Sequence, residues 1–266
     1  MSYSTDIMVG NSLLNATVVD NLLLSPGLFL LRVLPDAPIP DFKPGQYVAL
    51  GLPLAETAAG QSASPRRSLT KRAYSIASSP SDKDALEFYI ARVEDGALSP
   101  GLSELRAGDR LFVQKKFTGA FTTCEVVAGK NLILIATGTG IAPFISMLRT
   151  PEVLRRFGRI TILHGVRYKR DLAYAEEITT LINSAEYDLE YFRAVSREEV
   201  EEEGLRTGYV QSYVAEGLVT VNKETDHVFL CGNPSMIESV VTLLTAAGFQ
   251  EHSRKQSGNL HLENYW

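Results

Sequence analysis

Apolar residues fall along the chain in two rhythms, and the change comes near residue 125. Before it, short apolar or alternating runs recur at Ala16–Val19, Leu28–Val33, Gln46–Leu50, Leu86–Val93 and Arg110–Gln114. Turn residues separate them, as in Lys43-Pro44-Gly45 and Ala107-Gly108-Asp109. Short strands with turn signals between them predict an antiparallel β-barrel or sandwich. Ser103–Arg106 is expected to form one helical turn, and residues 53–71, rich in Ala, Ser, Gly and Pro, a long exposed loop. From Val126 onward strand-like runs alternate with helix-like ones. Leu132–Ala136 precedes a helix near 142–149, Ile160–His164 one near 171–184, Asp188–Arg193 one near 209–217, and His227–Cys231 one near 234–247. That alternation predicts a parallel sheet with helices on both faces. Residues 1–125 and 126–266 are therefore expected to be two domains, β followed by α/β.

Composition narrows the function. The 266 residues suffice for two ordinary domains. A net charge of −5 argues against a nucleic-acid binder, which usually shows a basic domain. No apolar run approaches the roughly 18 residues of a membrane span. The segment Met1–Asp6 lacks a basic region followed by an apolar core, so no secretory signal is expected. Two cysteines, Cys124 and Cys231, are too few for a disulfide framework or a Cys-ligated iron–sulfur cluster, and no metal site is expected. A reducing, cytoplasmic setting is the simplest reading.

Five stretches carry candidate chemistry. In Thr137-Gly138-Thr139-Gly140-Ile141-Ala142-Pro143 an apolar strand runs into a small-residue turn. Gly138 and Gly140 permit a sharp turn and close approach of a ligand, and Pro143 suits the first turn of a helix. Such a strand–turn–helix favours an anion such as a pyrophosphate; the alternative is a turn that uses glycine for tight packing. It is not a P-loop, because no Gly-Lys-Ser/Thr follows the glycines, nor the usual Gly-x-Gly-x-x-Gly fingerprint, because Pro143 takes the third position. In Arg72-Ala73-Tyr74-Ser75, Arg72 and Tyr74 share one face of a strand, pairing a cation for phosphate with an aromatic plane for a ring. A surface arginine beside a half-buried tyrosine is the alternative. Gly96-Ala97-Leu98-Ser99 is a glycine turn ending in a hydroxyl. Cys231-Gly232-Asn233-Pro234 puts a thiol at the end of a strand, where open α/β sheets bind ligands, although a buried cysteine there is often a small hydrophobe. Glu263-Asn264-Tyr265-Trp266 places two aromatics where polar, frayed residues are usual, which suggests that they dock against something.

Taken in order, these motifs resemble the bacterial ferredoxin/flavodoxin–NADP⁺ reductases over nearly the whole chain. The resemblance implies an N-terminal antiparallel FAD-binding β-barrel and a C-terminal parallel-sheet NADP-binding α/β domain. It implies electron transfer between NADPH and ferredoxin or flavodoxin through FAD, with hydride passing to flavin N5 and electrons leaving singly. By the same resemblance Arg72 pairs with the FAD pyrophosphate, Ala73 belongs to the same FAD-binding segment, Tyr74 lies against the isoalloxazine and Ser75 hydrogen-bonds it. Phe88, Tyr89 and Ile90 line the flavin, and Gly96, Ala97, Leu98 and Ser99 form a second phosphate turn. Thr139 approaches flavin and nicotinamide, while Asn264, Tyr265 and Trp266 close over the flavin. Cys231 sits near the nicotinamide and Glu263 helps supply protons; with Tyr74 and Ser75 these form the implied catalytic set.

For NADP the implied contacts are Gly138, Thr139, Gly140, Val166, Gly232, Asn233, Pro234 and Met236. A 2′-phosphate needs cations, and Arg167, Ser196 and Arg197 match the family's clamp. Thr207-Gly208-Tyr209 departs from it, since some relatives carry arginine at the last position. Tyr209 is left to stack on adenine, with Arg206 as the substitute cation, and NADP is favoured over NAD. A carrier would dock on a local basic patch, for which Arg66, Arg67, Lys71, Lys115 and Lys116 are candidates. A monomer is expected. The competing readings are a reductase of the same superfamily serving an oxygenase or free flavin, and a non-catalytic FAD-binding sensor.

Overall fold

The computed structural model describes residues 13–53 and 69–264. Arg66, Arg67, Tyr265 and Trp266 lie outside the described residues. Six antiparallel strands come from the first half: β1 (Ala16–Ser25), β2 (Leu28–Pro35), β3 (Tyr47–Pro53), β4 (Leu69–Ser75), β5 (Leu86–Ala91) and β6 (Arg110–Val113), with α1 (Ser99–Glu104) between β5 and β6. Their order is β4-β3-β6-β1-β2-β5. The two outer strands meet just past β4, where the Ala77 N–H donates to the Glu87 carbonyl at 2.8 Å and closes the sheet into a barrel. Period-2 alternation fills the interior: Phe29, Leu31 and Val33 of β2 meet Phe88 and Ile90 of β5, all buried.

The second half builds a parallel sheet from β7 (Asn131–Thr137), β8 (Arg159–Val166), β9 (Asp188–Val195), β10 (Leu205–Thr207), β11 (Asp226–Gly232) and β12 (Leu260–Asn264), in the order β10-β9-β8-β7-β11-β12. The helices between them are α2 (Ala142–Leu148), α3 (Pro151–Leu154), α4 (Ala175–Asn183), α5 (Ser212–Ala215) and α6 (Pro234–Ala246). Phe144 of α2 and Ile178 of α4 pack in one core with Leu134 and Ile162, while Val240 and Leu244 of α6 pack in another with Ile133 and Leu230. Burial on both faces explains why β7, β8 and β11 read as continuous apolar runs. Because β8 and β11 flank β7 on opposite sides, the sheet has a switch point between β7 and β11. No helix among the described residues is long and apolar enough to cross a membrane.

Several elements differ from expectation. The helical turn near 103–106 lies instead at Ser99–Glu104, because Pro100 suits a helix start and the Asp109 side chain accepts the Arg106 N–H at 2.7 Å in the turn that follows. The helix near 209–217 contracts to Ser212–Ala215, and the one near 171–184 begins only at Ala175. Lys71, taken as loop, is in β4 opposite Gly51. Strands β10 and β12 were not expected; each is short and exists by pairing with a longer neighbour, β9 or β11.

The halves are bound by polar contacts over a shared apolar core. Ala77, Tyr89 and Phe121 join the core of the parallel sheet. Arg149 donates to Glu177 at 2.6 and 2.8 Å, to Glu87 at 2.8 Å and to the Ala77 carbonyl at 3.2 Å. Burial opposes the charge on Arg149, but Glu177 and Glu87 together hold its pKa above the ordinary arginine value. The Tyr174 hydroxyl also donates to Glu87, at 3.0 Å. Ser25 donates to the buried Asp171 at 2.7 Å, and the Asp171 carbonyl accepts the Tyr89 hydroxyl at 3.1 Å.

Candidate functional site

At the carboxyl ends of β7 and β11 two glycine turns interlock. A Cβ on Gly140 would lie 2.4 Å from the Cys231 carbonyl oxygen, and one on Gly232 would lie 2.2 Å from Thr137 Oγ1. Thr137 Oγ1 accepts the Asn233 N–H at 2.7 Å, tying the turns together. Gly138 has φ +53° with open space where a side chain would be. The turn Gly138–Ile141 is a 3₁₀ turn rather than the start of α2, which begins at Ala142 with Pro143 in its first turn. On the other side Asn233 caps α6, its side chain accepting the Ser235 N–H at 2.8 Å, with Pro234 at the helix start. The side chains of Val166, Cys231 and Met236 are enclosed, so a ligand in the crevice meets the glycine backbones rather than these three side chains.

The barrel brings a second set of residues to the same place. Ser75, at the end of β4, donates to Glu263 Oε1 at 2.8 Å, and Cys231 Sγ lies 3.9 Å from the same oxygen. Parallel pairing of β11 with β12 sets Cys231 beside Glu263. Burial pushes the Glu263 carboxyl up to about 7, against the smaller lowering effects of Ser75 and Cys231. Glu263 also lines a cavity of about 630 Å³ shared with Phe42, Lys43, Phe121 and His261. Thr139 is buried, and Asn264 is exposed opposite Gly232.

Elsewhere on the barrel, Arg72 and Ala73 are exposed and Tyr74 is half-buried. Burial raises the Tyr74 hydroxyl to about 12, and the Arg72 charge acts on it in the opposite sense, as expected of neighbours on one face. Phe88 and Ile90 require a correction: their side chains fill the barrel core at 0% and 1% exposure and present no surface to a flavin. Tyr89 faces the other half, edge-on to Tyr174 with ring centroids 5.6 Å apart. In Gly96–Ser99 the Ser99 hydroxyl accepts the Val93 N–H at 2.9 Å, leaving its proton to donate, while Leu98 is buried and Ala97 exposed.

The cations near β8, β9 and β10 divide into two groups. The Arg197 N–H donates to the Arg167 carbonyl at 3.0 Å, which sets these two exposed arginines side by side, and Ser196 bonds the Val166 carbonyl. The others are engaged. Lys169 and Arg193 both pair with Glu202, and Arg170 lies over the Tyr168 ring at 4.6 Å. Arg206, expected as the substitute cation, pairs with Glu216 at 2.9 Å and lies over the Tyr213 ring. Tyr209 is 67% exposed, open to stacking. Sequence reasoning missed Thr137 and the side chain of His164, whose Nε2 lies 3.0 Å from the Gly138 carbonyl. The signal for His164 was a lone polar ring in the apolar run of β8.

Comparison with known proteins agrees with this geometry. Residues 32–121 match the family described as Oxidoreductase FAD-binding domain, and residues 134–242 the one described as Oxidoreductase NAD-binding domain. The chain is thus an oxidoreductase with a flavin-binding barrel joined to a nicotinamide-nucleotide sheet. It is 36% identical to a ferredoxin–NADP reductase of Pseudomonas aeruginosa over 219 residues, 79% of this chain and 80% of that one. It is 34% identical to a flavodoxin/ferredoxin–NADP reductase of Buchnera aphidicola over 261 residues, 96% of this chain and all of that one. The chain belongs to the ferredoxin/flavodoxin–NADP reductase family. Its fold is shared with a ferredoxin NADP⁺ reductase from Neisseria gonorrhoeae solved with bound FAD and NADP, at a TM-score of 0.80 and 22% identity over 95% of this chain and 99% of that one.

Proposed function

We propose that this protein transfers electrons between NADPH and ferredoxin or flavodoxin, using FAD held where the barrel meets the parallel sheet. The observation that carries the reading is the cluster Ser75, Glu263 and Cys231. It joins a barrel strand to the carboxyl edge of the sheet within hydrogen-bonding reach, beside the turn Gly138–Gly140. The site fits the two nucleotides: the turn after β7 leaves open space at Gly138, and Arg72 and Tyr74 present a cation and an aromatic plane on one strand face. When bound, FAD supplies the exchange between a two-electron hydride donor and a one-electron carrier.

The chain's own residues supply position and protons. Arg72, with the Ser99 hydroxyl, meets the FAD phosphates, and Tyr74 packs on the ring. Ser75 orients Glu263, which holds a proton near neutral pH and exchanges it through the adjoining cavity. Cys231, enclosed behind the Gly232 turn, supports the crevice from beneath through its contact with Glu263. Arg167 and Arg197 are the cations left for a 2′-phosphate, with Tyr209 on the adenine. Asn264, exposed at the end of β12, faces the flavin. The division between the nucleotide domains falls near residue 125, between the end of β6 and the start of β7. One chain carries both sites, so a monomer suffices, in a reducing cytoplasmic setting that suits Cys124 and Cys231. The test is spectroscopic. The purified protein should be yellow, bleach faster with NADPH than with NADH, and then reduce a ferredoxin or flavodoxin. A colourless protein that binds no FAD would overturn the reading.

A further inference from the structure

The ring of His164 is fully enclosed in β8, among apolar neighbours, yet it touches the nucleotide turn. Nε2 lies 3.0 Å from the Gly138 carbonyl and Nδ1 3.3 Å from the Tyr191 hydroxyl. A carbonyl only accepts, so Nε2 carries the proton; burial lowers the ring's pKa to about 4, so the ring is neutral and Nδ1 accepts from Tyr191. The tautomer is thereby set from both sides.

A trans peptide is planar, with its C=O and the following N–H pointing in opposite directions. With the Gly138 carbonyl bonded to His164 of β8, the Thr139 N–H is turned to the opposite side, away from β8. Gly138 holds φ +53° at no steric cost, and the His164 bond adds to the 3₁₀ turn Gly138–Ile141 in fixing the orientation of its carbonyl. We propose that His164 is a positioning residue that locks the Gly138–Thr139 peptide in the orientation that aims the Thr139 N–H at the pyrophosphate of a bound dinucleotide. This rests on the reading above that the crevice binds NADP(H).

The test compares two ligands on the FAD-loaded protein: NADP⁺, which carries the pyrophosphate, and 2′-phospho-AMP, which carries the 2′-phosphate and adenine but no pyrophosphate. His164→Leu removes the donor, His164→Asn keeps polarity but shortens the reach, and His164→Gln restores an N–H at similar reach. Leu and Asn should weaken NADP⁺ about 10- to 100-fold, leave 2′-phospho-AMP within about twofold, and be rescued by Gln. Should the Leu variant fail to fold, the Asn–Gln pair carries the comparison alone. Equal weakening of both ligands, or unchanged NADP⁺ binding in Leu or Asn, overturns the inference while leaving the proposed function intact. A wild type that binds neither ligand overturns both.

Discussion

Replacing Gly140 by alanine should force the two nucleotide turns apart. The added Cβ would sit 2.4 Å from the Cys231 carbonyl oxygen, 2.7 Å from its carbon and 2.9 Å from Gly232 Cα. Ordinary contact begins near 3.5 Å, so the deficit is about 1 Å. All three obstructing atoms are backbone at the end of β11, which is held on both sides by β7 and β12, so no side chain can swing away. Relief requires the turn after β7 to move by a comparable distance. Overpacking of this kind costs about 1–3 kcal/mol of stability, and a displacement of about 1 Å at a reacting site costs up to roughly 100-fold in rate. Gly129→Ala is the matched control. Unlike Gly140 it sits at positive φ, +81°, with nothing within 4 Å, and it lies outside the crevice at the approach to β7. It should lose about 1–2 kcal/mol through the left-handed backbone alone. The assay is urea unfolding together with NADP⁺ titration and single-turnover flavin reduction by NADPH. Both variants should be destabilised, and only Gly140→Ala should lose NADP⁺ affinity and reduction rate. A Gly140→Ala protein that binds and reacts within about twofold of wild type would refute the idea that the turns must touch.

Glu263→Gln should gain stability relative to wild type by roughly 3 kcal/mol as pH rises from about 4.5 to 7.5, followed by urea unfolding. The sign follows from the raised folded pKa of about 7: the native state holds a proton that the unfolded state has already lost, so ionising Glu263 costs the folded protein. A pH-independent difference would show that Glu263 is not proton-bound in the fold. Arg149→Met should cost about 2–3 kcal/mol and promote FAD loss, because Glu87, at 13% side-chain exposure, keeps only the Tyr174 hydroxyl in place of the ion pair. Unaltered unfolding and flavin retention would count against the seam. Arg167→Ala and Arg197→Ala should each raise the KM for NADPH about 10-fold while leaving that for NADH unchanged; equal effects on both nucleotides would place the 2′-phosphate elsewhere.

What could be read from the sequence, and what could not, follows from the range of the interactions. The change of period near residue 125 is local, and both sheets were legible in it. Gly140 and Gly232 were legible as small residues, but not that each exists to admit the other's strand, since that contact joins positions far apart in the chain. Ser75 and Glu263 meet across 188 residues and Arg149 and Glu87 across 62, so no window of sequence contains either pair. Phe88 and Ile90 misled for a related reason: an aromatic-rich strand reads the same whether its apolar face lines a ligand or fills a barrel, and closure of the sheet through Ala77 and Glu87 decides for the barrel.

The informative residues are those that break their element's own rule. His164 interrupts the apolar run of β8 and Glu263 lies next to the end of the half-apolar strand β12; the one is buried and the other half-buried at a cost that an alanine or valine would avoid. Burial moves both away from their solution pKa values, His164 downward and Glu263 upward, so that around pH 7 His164 is neutral and Glu263 holds its proton about half the time. Both lie toward the carboxyl edge of the sheet, one bonded to the Gly138 turn and the other to the barrel through Ser75. A polar group that the hydrophobic pattern would exclude persists where its hydrogen bond sets the geometry of something else. Here that something is the Gly138 turn and the junction of the barrel with the sheet, and it is the reason these two strands depart from the apolar pattern that the rest of the sheet obeys.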